Sequence, residues 1–412
     1  MRIVSIDRFY APHGGKERYQ LELAELLAQR GHEVYPFALA EPGNLPSPFE
    51  GYFPRALQVR SGNPLARVGA ALTRAYNRDS ARALAHLLDD VRPDVAHIHS
   101  LHHLSISVAR LLRERGIPTV FTLHDYQLIC PVATLFRNET ICEDCRQHRY
   151  YQAIRYRCSH DKISNSLAAA LDSATVHLSS ELAHVSRFIA PSQFAGAKFV
   201  DFGFPPDRIS HLAHFAPTDK WAREPMAARG PIVFSGRLHR LKGAHVFMEA
   251  LARLRIPERQ DVVMIGDGPE RAALENLARH LGLTGLVFTG HLGRDAIREW
   301  YRRSLFAVVP SIWHEVLGFS VLEPFAVGRP VIGARSGGIP EVIEDGESGL
   351  LVEPGDPEAL ASAIDQLLAN PRETARMGAR ARIRAETAFG PEAHYNGLLS
   401  IYDYVISGKS AD

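Results

Sequence analysis

At 412 residues the chain exceeds the roughly 100–200 residues of one domain, so two domains are the first expectation. Hydrophobic residues at 46% and charged ones at 23% mark a folding globular protein and exclude a disordered chain, a coiled coil or a collagen-like rod. Lys plus Arg total 47 against 46 Asp plus Glu, so the net charge of +1 gives no general pull toward nucleic acid, which is not expected as a partner. From the first residue, strand-like runs alternate with amphipathic stretches: a strand over 2–7, a helix over 17–29 stopped by Gly31, and a strand over 33–39. Strands over 94–100, 118–124 and 188–191 continue the series, with helical patterns at 65–91, 103–115 and 162–185. Short β-rich runs separated by helices predict a parallel, doubly wound sheet.

The series restarts after 216–230, where Pro217, Pro225, Gly230 and Pro231 bracket an irregular stretch read as the interdomain linker. Strands at 231–236, 261–268, 286–290, 305–311 and 330–334 then predict a second Rossmann-like domain. The expected organisation is 1–215, 216–390 and a tail, 391–412, whose apolar residues from Tyr395 to Val405 could return to the first domain. The class is α/β, with two Rossmann-like domains facing a central cleft. No run approaches the roughly 18 apolar residues of a membrane span, and the start lacks a signal-peptide pattern, so a cytoplasmic location is expected.

Doubly wound sheets bind ligands at the carboxyl ends of their strands, so site motifs are expected just after strands. Gly14-Gly15 follows the first strand and opens a helix, where bare N–H groups can receive a phosphate; a flexible loop is the plainer alternative. A dinucleotide fingerprint is absent, since Gly266-Asp267-Gly268 lacks the third glycine. Gly236-Arg237 and Lys242-Gly243 place two cations past the first strand of the second domain, suited to a diphosphate or simply solvated. In His314-Glu315-Val316-Leu317-Gly318-Phe319-Ser320-Val321-Leu322-Glu323 two glutamates stand eight residues apart. Gly318 would open a helix, with Glu315 in the loop before it, Glu323 within it, and the N–H groups near Phe319 and Ser320 free for a phosphate oxygen.

These motifs, with His124-Asp125 and Gly337-Gly338-Ile339-Pro340-Glu341, resemble in order and spacing a retaining, nucleotide-sugar-dependent glycosyltransferase of the GT-B fold, in the family 4-like group. The likeness covers nearly the whole chain; it departs at Leu317-Gly318-Phe319 and at Glu323-Pro324-Phe325, both apolar changes. It implies a hexosyltransferase-like enzyme acting in glycan, polysaccharide or glycolipid assembly, with a nucleotide diphosphate sugar donor and a glycan or lipid-linked acceptor. By the same resemblance Glu323 binds the ribose hydroxyls, Glu315 a sugar hydroxyl, and Arg237 and Lys242 the diphosphate, so no catalytic metal is required. His124 would lie beside donor sugar and acceptor, with His99 and Asp125 on the acceptor side. A GT-B-fold nucleotide-sugar 2-epimerase and a non-catalytic sugar-nucleotide-binding scaffold are the alternatives.

Two features lie outside this pattern. His97, His99, His102 and His103 invite a metal, but alternation puts only His97 and His99 on one strand face. Cys130, Cys142, Cys145 and Cys158 spell C-x11-C-x2-C-x12-C in an Arg- and Tyr-rich segment, open to a structural zinc, free thiols or disulfides. The stretch 60–82, with Arg67, Arg74 and Arg78 among apolar residues, is a candidate for peripheral contact with the inner face of a membrane, or else a solvated helix face.

Overall fold

The computed structural model describes residues 1–55, 76–227, 229–255 and 261–408. In the first half β1 (Arg2–Ile6), β2 (Glu33–Phe37), β3 (Val95–Ile98) and β4 (Thr119–Thr122) are followed by a small hairpin, β5 (Phe136–Arg137) and β6 (Thr140–Ile141), and then by β7 (Arg187–Ala190) and β8 (Ile209–His211). Apart from the hairpin they pair in parallel in the order β2-β1-β3-β4-β7-β8. The second half repeats the plan with β9 (Ile232–Ser235), β10 (Val262–Ile265), β11 (Leu286–Gly290), β12 (Phe306–Val309), β13 (Val331–Ala334) and β14 (Gly349–Val352), in the order β11-β10-β9-β12-β13-β14. In each sheet the order reverses beside the first strand, at β1/β3 and at β9/β12, and a crevice opens at such a switch point.

The central strands β3, β4, β10, β12 and β13 are buried along their length, as helices on both faces require, and each sheet has a hydrophobic cluster on either side. Three elements go beyond the sequence expectation: the edge strands β8 and β14 and the β5/β6 hairpin, of three, four and two residues per strand. They are too short to carry a readable period. The expected helix over 162–185 runs Ile163–Leu178; Ser180 then adopts φ 58° and a single turn, Glu181–His184, follows. Of the expected helix over 65–91, Arg78–Val91 is present and 65–75 lies outside the described residues.

Residues 216–227 are held down by two arginines of the second half. Arg382 donates to the carbonyls of Trp221 at 2.6 Å and Thr218 at 3.0 Å, and the fully buried Arg329 donates to that of Glu224 at 2.9 Å. The tail helix, Pro391–Ile406, lies on the first sheet, where Leu398, Tyr402 and Val405 share a cluster with Tyr19, Leu23, Leu26 and Leu27 of the Gly15–Gln29 helix.

Candidate active site

On the C-terminal wall, β12 ends at Val309 and the chain loops through Pro310–Gly318 into the short helix Phe319–Ala326. Glu315 is buried in that loop and accepts from Lys242 Nζ and from Ser311 Oγ, each at 2.6 Å. Burial alone would raise its pKa, but the adjacent Lys242 charge and these hydrogen bonds outweigh it and hold the carboxylate below its ordinary range. Lys242 also lies over the Trp313 ring, 5.2 Å from its centroid. The backbone of Gly337-Gly338 packs on the same loop: a Cβ at Gly337 would sit 2.1 Å from the Glu315 carbonyl oxygen, and Gly338 N–H donates to that oxygen at 2.8 Å. The glycine pair of the Gly-Gly-Ile-Pro-Glu motif therefore sets the loop that carries Glu315.

Gly318 has φ 100°, and no side chain caps the helix that begins at Phe319. Glu323, one turn in and buried, accepts from Arg18 Nη1 at 3.4 Å across the domain boundary; burial raises its pKa against the pull of Arg18 and Arg294. Arg237 stands exposed just past β9.

The N-terminal wall is built differently. Gly14 caps the first helix and Gly15 opens it, and a Cβ at Gly15 would stand 2.9 Å from the Phe319 ring, so this glycine admits the opposite wall's aromatic. At the end of β1 the fully buried Asp7 pairs with Lys16 at 3.1 Å; burial, countered in part by Lys16, brings its pKa to about 6. Asp125, hydrogen-bonded by Gln127 N–H at 2.9 Å, is raised by burial against the same Lys16.

Beside them the histidines form a connected cluster. His99 Nδ1 lies 3.0 Å from His124 Nε2, and His124 Nδ1 lies 3.2 Å from His214 Nε2. Behind this row His97 bonds Tyr402 and Thr122, each at 2.7 Å, while His394 joins Tyr19 at 3.0 Å and the Ala213 carbonyl at 2.7 Å. Burial lowers the pKa of all five, to about 3 for His97 and His214 and about 4 for His394. Each nitrogen-to-nitrogen contact holds one proton, so neutral His124 donates to one neighbour and accepts from the other. Of the three in this row only His124 has an imidazole on both sides, so only there would a second N–H also find an imidazole acceptor. His214 stacks on Phe319, with centroids 4.8 Å apart, which ties the row to the helix that carries Glu323.

The walls also touch elsewhere. The Glu341 carboxylate accepts from Gln193 N–H at 2.8 Å and Phe194 N–H at 2.7 Å, Ser192 Oγ donates to the Val316 carbonyl, and Tyr126 meets Trp313 edge to face. Sequence reading did not find Arg18, Lys16, Asp7, His214, His394 or Glu341's contact. The one signal available was the run of charged residues directly after Gly14-Gly15.

The four cysteines are unbridged. Among the described residues no three His, Cys, Asp or Glu side chains form a group arranged to hold a metal ion. The thiols nonetheless share a neighbourhood: burial, then the charges of Cys130, Cys142 and Cys158, push Cys145 up to about 12, and the N–H groups of Leu135, Val132 and Thr134 hydrogen-bond Cys130. Of the basic stretch 60–82, the part before residue 76, with Arg67 and Arg74, lies outside the described residues, and Arg82 pairs with Asp79 at 3.2 Å. No helix among the described residues is long and apolar enough to cross a membrane.

Two opposed Rossmann-like sheets, with charged groups at the strand ends of both, can be compared with known proteins. Residues 13–220 match the Glycosyltransferase Family 4 model and residues 223–384 match Glycosyl transferases group 1. The chain is 28% identical to "D-inositol 3-phosphate glycosyltransferase 2" of Catenulispora acidiphila, over 97% of this chain and 92% of that one. Its fold is similar to sucrose-phosphate synthase from Thermosynechococcus elongatus, with TM-score 0.73 and 22% identity over 99% and 100% of the two chains. It is also similar to Anabaena HepE in complex with UDP and glucose, with TM-score 0.71 and 19% identity over 98% and 99%. Both halves of the architecture and both family matches converge: the chain belongs to the family 4-like group of GT-B glycosyltransferases.

Proposed function

We propose that the protein is a retaining glycosyltransferase that moves a sugar from a nucleoside diphosphate sugar to a hydroxyl of a glycan or lipid-linked acceptor, in glycan, polysaccharide or glycolipid assembly. The observation that carries this reading is the buried Glu315, on the loop leading to the uncapped helix at Phe319, paired at 2.6 Å with the partly exposed Lys242. A buried carboxylate kept ionised by a lysine can orient a sugar hydroxyl. The lysine, Arg237 and the N–H groups at Phe319 and Ser320 offer positive charge to a diphosphate. The similarity to a protein solved with UDP and glucose supports a donor of that class.

In this reading Glu323 holds the ribose hydroxyls, exchanging Arg18 for the nucleotide. As the anomeric C–O bond breaks, its electron pair goes to the β-phosphate oxygen, where the cations and helix N–H groups stabilise it. The acceptor oxygen bonds the anomeric carbon from the same face, and its proton passes to the departing phosphate. His124, Asp125 and His99 line the acceptor side, and neutral His124 can turn its one N–H toward either neighbour as a hydroxyl approaches. A thermal-shift screen of nucleoside diphosphate sugars, followed by donor turnover and NMR of the product anomer, tests this. No shift and no donor consumption would sink the donor assignment, an inverted anomer would sink retention, and release of a free epimer without acceptor would make the protein an epimerase.

A further inference from the structure

The segment between His124 and β7 carries an apolar face that the transfer reading does not use. Of thirteen large hydrophobic residues standing exposed among those described, seven fall in it, Ile141 on the hairpin and six further along: Tyr151, Tyr156, Ile163, Leu167, Leu171 and Leu178. The last four recur at helical spacing along Ile163–Leu178 and form one stripe, with Leu178 79% exposed and Ile163 54%. Toward the neighbouring short helix, Tyr151–Arg155, the same element packs Ala170 and Ala174, so small residues face inward and large apolar ones outward. The 16-residue helix contains a single carboxylate, Asp172, and no lysine or arginine. At about 24 Å long it presents the stripe along its whole side.

The charge beside the stripe is mostly positive, with Asp161 the one carboxylate between residues 149 and 162. Arg149, Arg155, Arg157 and Lys162 are exposed at and before the start of the helix. Among the described residues none of them has a carboxylate within salt-bridge distance. The helix begins at Ile163 with no side-chain cap and no acid in its first turn, so its free N–H groups add to the same positive end. Cations at a helix N-terminus oppose the helix dipole, and an anionic partner relieves that cost.

We propose that this helix and the turn before it dock the protein on an anionic lipid bilayer. The Leu/Ile stripe enters the acyl boundary with the helix lying in the surface plane. Tyr151 and Tyr156 sit at headgroup level, and the four cations meet lipid phosphates. A second copy of the chain fits this face less well, because parallel pairing would set the same cations against each other and antiparallel pairing would offer them a helix whose single carboxylate is Asp172. The proposal does not depend on the identity of the donor or acceptor.

The test is sedimentation of the full chain with phosphatidylglycerol/phosphatidylcholine vesicles and with phosphatidylcholine alone, at low and high salt. The wild type should bind the anionic vesicles and weaken as salt is added. Leu167→Glu/Leu171→Glu should lower the partition coefficient about tenfold or more, since two apolar anchors are lost. Arg155→Glu/Arg157→Glu should lower it on anionic vesicles only. Circular dichroism and light scattering on each variant report fold and oligomeric state, and all substituted side chains are exposed. Absence of wild-type binding to anionic vesicles at low salt would overturn the proposal, as would unchanged binding of the leucine variant. A wild-type dimer that binds no vesicles and becomes monomeric in the leucine variant would also overturn it and make the face a contact between copies.

Discussion

On the N-terminal wall of the cleft five buried histidines are held uncharged, whereas on the C-terminal wall the equally buried Glu315 is held charged. Burial opposes ionisation in both places; the walls differ in what stands next to the group. His97, His99, His124, His214 and His394 have uncharged hydrogen-bond partners, mostly one another, and the Lys16 charge acts in the same direction as burial on His99 and His124, so burial prevails. Glu315 has Lys242 and Ser311 at 2.6 Å, and these prevail over burial. The lesson is that burial alone does not decide charge: one wall keeps a set of neutral imidazoles hydrogen-bonded to one another, the other a fixed ion pair.

The sharpest way to break this comparison is to remove the fixed ion pair. Lys242→Ala is expected to reduce donor turnover about 100- to 1000-fold, because leaving-group charge is greatest in the transition state. A kcat within a few-fold of wild type in single-turnover assays would take the diphosphate away from Lys242. Glu323→Ala on the same wall should act on binding instead, weakening nucleotide affinity by roughly 1–3 kcal/mol as measured by calorimetry. If affinity for every nucleotide is unchanged, Glu323 does not hold the ribose.

On the opposite wall the signature is pH. A histidine whose folded pKa lies below its unfolded value binds fewer protons when folded. Its contribution is intact above about pH 6.5 and is lost as pH falls toward the folded value. For His97, at about 3, that window runs down through pH 6 to 4. His97→Gln should therefore flatten the slope of unfolding free energy against pH there by about 1.4 kcal/mol per pH unit. Asp7 and Glu22, raised by burial to about 6 and about 7, push the other way, so the quantity to compare is the slope of variant against wild type. An unchanged slope would mean that His97 is charged in the fold. His124→Ala should keep nucleotide affinity while losing transfer, and normal transfer would return that histidine to a structural role.

The smallest effect on chemistry is expected from the cysteine segment. The proposal of a structural zinc there requires the four thiols to close around the ion, giving about one zinc per chain by elemental analysis. Chelation should then lower the melting temperature while leaving kcat nearly intact. A metal-free, fully active preparation with four titratable thiols would leave them as ordinary side chains.

Much of this molecule is legible along the chain because it is built from local repeats. Alternating strand and helix patterns predict both Rossmann-like sheets, and Glu315, Gly318 and Glu323 fall on one short loop and helix whose layout follows from a glycine at a helix start. The edge strand β8 could not be read from three residues, and missing it hid His214, which follows three residues after it. Arg18 meets Glu323 across 305 residues and Tyr19 meets His394 across 375, so no periodicity or spacing could pair them. The exposed stripe at Ile163–Leu178 reads as an ordinary core-facing helix until the fold leaves it uncovered. Sequence determined which residues carry apolar faces, turns and charge, since those are properties of each side chain and its near neighbours. Only the tertiary structure decided which charges survive burial and which faces stay open, because both depend on what distant segments bring within a few ångströms.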